Sequence, residues 1–305
     1  MAERQTLSYL QQRFHAAGHQ PRTRFGQNFL IDLNLVELIA RTAELTPRDV
    51  VLEVGTGMGS LTRLLAERAG QVITVEVDAS LAAMAAEELR AFDNITLLQQ
   101  DALKNKNELS PVVLDTINEK MSAIAGARLK LVANLPYNVA TPILSNLLHS
   151  HPWPQRMVVT IQKELAQRIA ASPRTKDYSA LSVWVQSQCR VDIVRVMPPS
   201  VFWPRPKVDS AIIDIRPQPL LRKRIGDVTF FHDLVRKIFL HRRKYLRSAL
   251  QAAVKGILDK DQVDEVLQAL AVDARTRAEE LSPAEMIELT KLVLAKQRGA
   301  DAATP

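Results

Sequence analysis

The chain has 305 residues, 47% hydrophobic and 24% charged, which fits a globular protein of about two domains and excludes a disordered or fibrous one. A single cysteine, Cys189, excludes an intrachain disulfide and a cysteine-built zinc or iron–sulfur site, and no run approaches the ~18 apolar residues of a membrane span. Forty Lys and Arg against 33 Asp and Glu give a net charge of +7, and all of that excess lies in residues 222–247, which hold nine basic and two acidic side chains.

A basic excess confined to one short segment points to a polyanionic partner, with a solvated cationic helix face as the alternative. The opening MAERQTLSYLQQRF lacks the apolar stretch of a secretory signal, and the cysteine usage fits a reducing compartment, so a cytoplasmic protein is expected.

In chain order, residues 1–25 are polar and basic, with Arg13, Arg22 and Arg24, and carry no long apolar pattern. Aliphatic runs at Val50–Val54, Val72–Val75, Ile95–Leu98, Leu129–Val132 and Met157–Ile161 read as buried parallel strands. Amphipathic stretches at Ser60–Arg68, Ser80–Phe92, Pro142–His149 and Glu164–Ala171 read as helices, and the alternation predicts a doubly wound α/β domain. Asn105–Ala125 is long for a connection between core strands and is expected to form a surface excursion with a short helix. Val191–Val196 and Ser210–Ile215 read as further strands, joined through Pro198, Pro199, Pro204 and Pro206. Beyond Pro217 and Pro219 only helical periodicity remains, which predicts a small all-helical domain. Ser282-Pro283-Ala284-Glu285 is a capping box that opens a helix with Met286, Ile287, Leu289, Leu292 and Val293 on one face. The tail from Gly299 is expected to fray.

The segment V-L-E-V-G-T-G-M-G-S-L-T, Val51–Thr62, sets Gly55, Gly57 and Gly59 between a strand and a helix. Without β-carbons the backbone approaches a ligand closely, and the helix start offers free N–H groups. Nicotinamide dehydrogenases use similar turns, but their pattern has a third glycine where this chain has Ser60. The acid-x-Gly-x-Gly-x-Gly form, with Glu53 as the acid, resembles the first motif of S-adenosylmethionine-dependent methyltransferases, whose acid helps orient the cationic end of the donor. A purely structural turn is the remaining alternative. Glu76, at the end of the second strand, can accept both ribose hydroxyls of an adenosine. Asp101, after the third strand, could accept from an adenine amine, although Asp is common after strands.

After the fourth strand comes V-A-N-L-P-Y-N, with Asn134, Leu135, Pro136 and Tyr137. This resembles the (Asn/Asp/Ser)-Pro-Pro-(Tyr/Phe) motif of amino-group methyltransferases, with Leu in second place. An adenine amine is a poor nucleophile because its lone pair is delocalised into the ring. Two acceptors near its hydrogens, the Asn134 side-chain oxygen and the Leu135 carbonyl, would favour a pyramidal nitrogen with a localised lone pair. Pro136 would stiffen the loop and Tyr137 would stack on the base, an interaction typically worth ~1–3 kcal/mol. A proline turn with a packed tyrosine is the alternative. A base inside a helix is unreachable and must be extruded or already unpaired. Phe202 is the candidate second aromatic wall, with Trp203 its rival and core packing of either one the alternative.

Taken together, these motifs resemble those of the ribosomal RNA adenine dimethyltransferases, and within them the type that modifies small-subunit rRNA. The resemblance spans residues 25–293 and rests on G-Q-N-F-L at 26–30, the glycine motif at 53–59, N-L-P-Y-N at 134–138 and Q-K-E at 162–164. K-D-Y-S-A-L-S at 176–182, F-W-P-R-P-K-V-D-S-A at 202–211 and H-R-R-K-Y-L-R at 241–247 extend it. It implies a Rossmann-like class I methyltransferase domain over residues 1–217 and a small basic helical RNA-binding domain over 218–305. The implied reaction is dimethylation of two adjacent adenosines in a hairpin loop near the 3′ end of 16S rRNA, within small-subunit (30S) biogenesis. S-adenosyl-L-methionine is the implied donor, with no metal, no membrane and a monomeric enzyme. Carried over by position, the donor contacts fall on Asn28, Leu30, Gly55, Glu76, Asp101 and Asn134. Arg242, Arg243, Lys244 and Arg247 on one helix, with Arg222, Lys223 and Arg224 upstream, are the expected phosphate contacts.

Overall fold

A computed structural model describes residues 6–21, 26–273 and 275–302; Arg22 and Arg24 lie outside these described residues. The chain begins with α1 (Leu7–Ala16), β1 (Phe29–Leu30) and α2 (Leu33–Thr42). Then come β2 (Asp49–Val54), α3 (Ser60–Ala66), β3 (Gln71–Glu76), α4 (Ala79–Leu89) and β4 (Ile95–Gln99). The hairpin β5 (Leu103–Asn105) and β6 (Glu108–Leu109) precedes α5 (Pro111–Ser122), β7 (Arg128–Asn134), α6 (Ala140–His149), β8 (Arg156–Gln162) and α7 (Lys163–Ala170). Next are α8 (Ala180–Gln186), β9 (Cys189–Met197), β10 (Phe202–Trp203) and β11 (Ser210–Pro217). The last helices are α9 (Pro219–Ile225), α10 (Val228–Phe239), α11 (Leu246–Ala253), α12 (Lys260–Leu270) and α13 (Pro283–Ala302).

The main sheet has seven strands in the order β4-β3-β2-β7-β8-β11-β9. From β4 to β8 all neighbours are parallel, and β11 then runs antiparallel to β8, with Ser210 opposite Gln162 and Ile213 opposite Val159. Every predicted strand and helix of this part is present; the strands run one to three residues longer than expected, whereas α3 and α4 end two and three residues earlier. β2 is buried at all six positions and β7 and β8 at their five central ones, as the aliphatic runs require when both faces are covered by helices. The order reverses direction between β2 and β7, so their carboxyl ends diverge and leave a crevice.

Several elements were not predicted. Residues 7–16 form α1, which buries Leu10 and Phe14 against Met58, Leu81 and Met84. Residues 33–42 form α2, capped by Asp32 and buried through Val36, Ile39 and Ala40. The β5–β6 hairpin from Leu103 to Leu109 was not predicted either, whereas the helix expected within 105–125 is the twelve-residue α5, anchored by Val113 and Ile117.

The contacts divide the chain into two units. One comprises the residues up to Ala166 with Asp192–Arg216; the other comprises Gln167–Val191 with the residues from Pro217 onward. A boundary near 217 is therefore one of several crossings, because Gln167–Val191, which includes α8, groups with the carboxyl-terminal helices. In this second unit Trp184 packs on Phe231 and His232, and the Tyr178 hydroxyl donates to the Leu281 carbonyl at 2.9 Å. The capping box at Ser282 forms, with Ser282 N–H on Glu285 Oε2 at 2.7 Å, and α13 continues through the tail expected to fray to Ala302. Among the described residues no helix is long and apolar enough to cross a membrane.

At the amino ends of the strands a buried ion network ties β2 to β7. Asp49, with no exposed surface, accepts from Arg128 Nε at 2.9 Å, from the Thr46 N–H at 2.7 Å and from Lys130 Nζ at 3.1 Å. Lys130 Nζ also donates to the Ala43 and Glu44 carbonyls, at 2.9 and 2.7 Å. Removing one partner leaves the other charges buried without their counterion. Asp49→Ala is therefore expected to cost about 3 kcal/mol of stability, measurable by urea denaturation. A loss within experimental error would show that the network is not what holds this end of the sheet.

Candidate active site

The crevice at the β2–β7 reversal is an open cleft with about 900 Å³ of empty space, the solvent at its mouth included. Four strand ends feed it: Gly55 follows β2, Glu76 ends β3, Asp101 follows β4 and Asn134 ends β7. Asn28, Gly57, Leu135, Pro136 and Tyr137 also line it, so the glycine turn and the N-L-P-Y loop share one space.

The two motifs touch. Gly55 has φ +90°, and a β-carbon there would lie 3.2 Å from Pro136 Cδ and 3.5 Å from the Asn134 carbonyl oxygen. Glycine at 55 thus admits both the backbone conformation and the proline loop. The loop is pinned by the Leu135 N–H on the Thr160 carbonyl and by the Val139 N–H on the Pro136 carbonyl, both at 3.1 Å. Asn134 Nδ2 donates to the Asn28 carbonyl at 2.9 Å. A carbonyl can only accept, so this bond fixes the flip of the amide and makes its other end, Oδ1, the acceptor.

The carboxylates differ sharply. Glu76 accepts from the Gly57 N–H on one oxygen and the Asp78 N–H on the other, each at 3.0 Å. Burial pushes its carboxyl up, opposed by these backbone bonds. Each oxygen keeps a second lone pair for a ligand hydroxyl. Asp101 is exposed and accepts from the Leu103 N–H at 2.9 Å, so the hairpin that follows sets its position. Tyr137 is half-buried with its hydroxyl 2.6 Å from Ser210 Oγ, and burial pushes its phenol up.

Not every expected residue lines this cavity. Glu53, 1% exposed, lies outside it and lines a smaller neighbouring space of about 480 Å³ together with Leu30. Its Oε2 accepts from the Thr62 and Thr74 hydroxyls, both at 2.6 Å, so the acid expected to orient the donor's cationic end clamps α3 and β3 to β2. Gly59 starts α3 with φ +82°, and a β-carbon there would meet Leu89 at 3.1 Å, so it serves packing and lines neither space.

Phe202 is also corrected. It pairs with Leu30 across the β1–β10 ladder, is 3% exposed, and lies in the apolar core with Val36, Ile39 and Ile212. Trp203, on the opposite side of the strand, packs edge-on to Phe14 at 5.1 Å between ring centres. Neither lines the cavity. The further aromatic that does is Phe29. The motif G-Q-N-F-L contains it, but nothing in its spacing singles it out.

The basic segment also differs from expectation. Arg242, Arg243 and Lys244 lie in the turn between α10 and α11, and only Arg247 is helical. Arg242 pairs with Glu279 at 3.0 Å and donates to the Lys176 carbonyl at 3.1 Å. Arg247 forms a two-pronged pair with Asp264 at 2.5 and 2.6 Å, and half-buried Arg222 donates to Gln188. Lys223, Arg224, Arg243 and Lys244 are exposed outside these pairs. Among the described residues no group of His, Cys, Asp or Glu comes together as a metal site.

A doubly wound sheet with a glycine turn facing an N-L-P-Y loop across the switch point defines a methyltransferase. A family model described as ribosomal RNA adenine dimethylase matches residues 18–294. The chain is 39% identical over 274 residues to the ribosomal RNA small subunit methyltransferase A of Alkaliphilus metalliredigens, covering 89% of this chain and 91% of that one. It is 40% identical over 269 residues to the protein of the same name from Clostridium acetobutylicum, covering 88% and 91%. Among solved structures it is similar to a dimethyladenosine transferase from Plasmodium falciparum (TM-score 0.73, 24% identity, covering 87% of this chain and 96% of that one). It is also similar to the 23S rRNA methyltransferase ErmE (TM-score 0.61, 28% identity, covering 87% and 99%). The chain belongs to the ribosomal RNA adenine dimethylase family, enzymes that transfer methyl groups to adenines of ribosomal RNA.

Burial pushes the Glu53 carboxyl up to about 8 from an ordinary value of 4.5. The folded state then holds a proton that the unfolded chain releases, so this group's contribution falls as pH rises from the ordinary carboxylate range through about 8. Glu53→Gln is expected to flatten the pH dependence of the unfolding free energy between pH ~5 and ~8. Parallel curves for the two proteins would contradict a protonated Glu53.

Proposed function

We propose that the protein uses S-adenosyl-L-methionine to dimethylate two adjacent adenosines in a hairpin loop near the 3′ end of 16S rRNA, during small-subunit maturation. The observation that carries this reading is the contact of Gly55 with Pro136, which makes one cavity of the nucleotide turn and the amine-binding loop.

The residues fit the donor. The glycine turn leaves a cradle that a β-carbon at 55 would fill; Glu76 and Asp101 line the same space, where Glu76 would accept the ribose hydroxyls and Asp101 the adenine amine. Asn28 bounds the same space, and Leu30 supports it from the neighbouring one. When bound, the donor supplies an electrophilic methyl group on a sulfonium. Asn134 Oδ1 and the Leu135 carbonyl accept the hydrogens of the target amine and turn its lone pair outward. Pro136 holds the loop that aims them, and Tyr137 stacks on the extruded base. The amine nitrogen becomes acidic once methylated, so no dedicated base is required. Preorganised acceptors and alignment account for the rate.

The relatives at 39% and 40% identity bear the small-subunit name, which supports that target over the large-subunit rRNA of ErmE, at 28%. Lys223, Arg224, Arg243 and Lys244 are the side chains best placed to neutralise rRNA phosphates, and the helical region is read as the RNA-binding part of a cytoplasmic monomer.

Incubation with labelled donor and unmethylated small subunits, followed by mapping of the products, is expected to give two neighbouring dimethyladenosines. A single product in large-subunit rRNA would contradict the reading. Asn134→Ala is expected to abolish transfer while RNA binding persists and donor binding is largely kept, and near-normal turnover would sink the mechanism. Arg243→Glu with Lys244→Glu is expected to weaken RNA binding and lower the slope of log K against log salt by roughly one to two. An unchanged slope would remove that turn from the RNA interface.

A further inference from the structure

Ser210 is the first residue of β11, opposite Gln162 of β8, and it is fully buried. Its Oγ lies 2.6 Å from the hydroxyl of Tyr137, the one aromatic of the N-L-P-Y loop that lines the cavity. A ring on a loop swings about its Cα–Cβ bond; a hydrogen bond at its far end to a residue set in the sheet fixes where the ring axis points. Both ends of this bond are anchored. On the serine side, Asp209 accepts from Lys163 Nζ at 3.1 Å and its carbonyl accepts from the Lys163 N–H at 2.9 Å, fastening the start of β11 to the end of β8. On the tyrosine side, the Leu135 N–H is bonded to Thr160 of the same strand β8. Burial keeps the phenol protonated, so its hydroxyl is available to pair with the serine.

We propose that Ser210 is a positioning residue for methyl transfer: it fixes the direction and place of the Tyr137 ring, and through it where the target adenine stacks relative to Asn134. The proposal deepens the reading that Tyr137 stacks on the target base, and it rests on that reading. It also gives the S of V-D-S-A a task that spacing alone does not reveal.

The test is a double-mutant cycle on the single-turnover rate of methyl transfer at saturating donor and RNA, using Ser210→Ala, Tyr137→Phe and the pair. Each single change is expected to slow transfer about three- to tenfold, the effect of one modest hydrogen bond. The double variant is expected to be no slower than the slower single, because both remove the same bond. Donor affinity and KM for RNA are expected to hold. Multiplicative losses, an unchanged rate in Ser210→Ala, or a matching loss of donor affinity would each overturn the proposal. Tyr137→Ala separates the two levels. If it slows transfer severely while Ser210→Ala and Tyr137→Phe do nothing, only the positioning role fails. If it is also silent, the stacking reading fails with it.

Discussion

A β-carbon at Gly55 would lie only 3.2 Å from Pro136, and the chemistry of this protein depends on that closeness. Donor and acceptor chemistry sit on different strands, at the ends of β2 and β7, some eighty residues apart in sequence. Paired in parallel, these neighbours bring their carboxyl ends to the same edge of the sheet, and the reversal of strand order there opens the crevice. The proline loop then folds back onto the glycine turn. The Asn134 amide, tied to the Asn28 carbonyl, is left with its oxygen as the unfixed end.

Around this contact the polar groups divide into those that hold and those that face the ligand. Glu53 accepts hydroxyls from α3 and β3 on one oxygen, and Thr56 joins the cluster through Thr74 at 2.6 Å. Glu76, two backbone bonds short of saturation, remains at the cavity wall. The same division appears among the cations: Arg242 and Arg247 hold local structure, whereas Arg243 and Lys244 stand exposed beside them. A charged or acidic residue within a motif is therefore not by itself a ligand; its neighbours in the fold decide.

The sheet was legible because parallel strands buried on both faces read as short aliphatic runs, and the site was legible because its parts follow strand ends at recognisable spacings. What escaped had weaker or misleading signals. The amino-terminal helix buries only Leu10 and Phe14, too sparse a stripe to stand out among polar neighbours. The break between α10 and α11 falls in L-H-R-R-K-Y-L-R, which contains no glycine or proline. It is made by tertiary pairing, with the Leu246 N–H on the Thr276 carbonyl at 2.8 Å and Tyr245 bridging Arg277. In F-W-P, adjacent aromatics on a two-residue strand must face opposite ways, and only the pairing with β1 decides that Phe202 goes inward. Glu53 looked like a ligand because its partners, Thr62 and Thr74, come from other elements.

The central claim is that donor and target amine meet in this one cleft. Its most direct test is a crystal structure with a bisubstrate analogue in which the adenosyl donor is joined through a short linker to N6 of a second adenosine. The account predicts the donor ribose on Glu76, the linked nitrogen within hydrogen-bond reach of Asn134 Oδ1 and the Leu135 carbonyl, and the second base against Tyr137. An analogue bound with its second adenine away from the 134–137 loop, or bound equally well by Asn134→Ala and Tyr137→Ala, would contradict it.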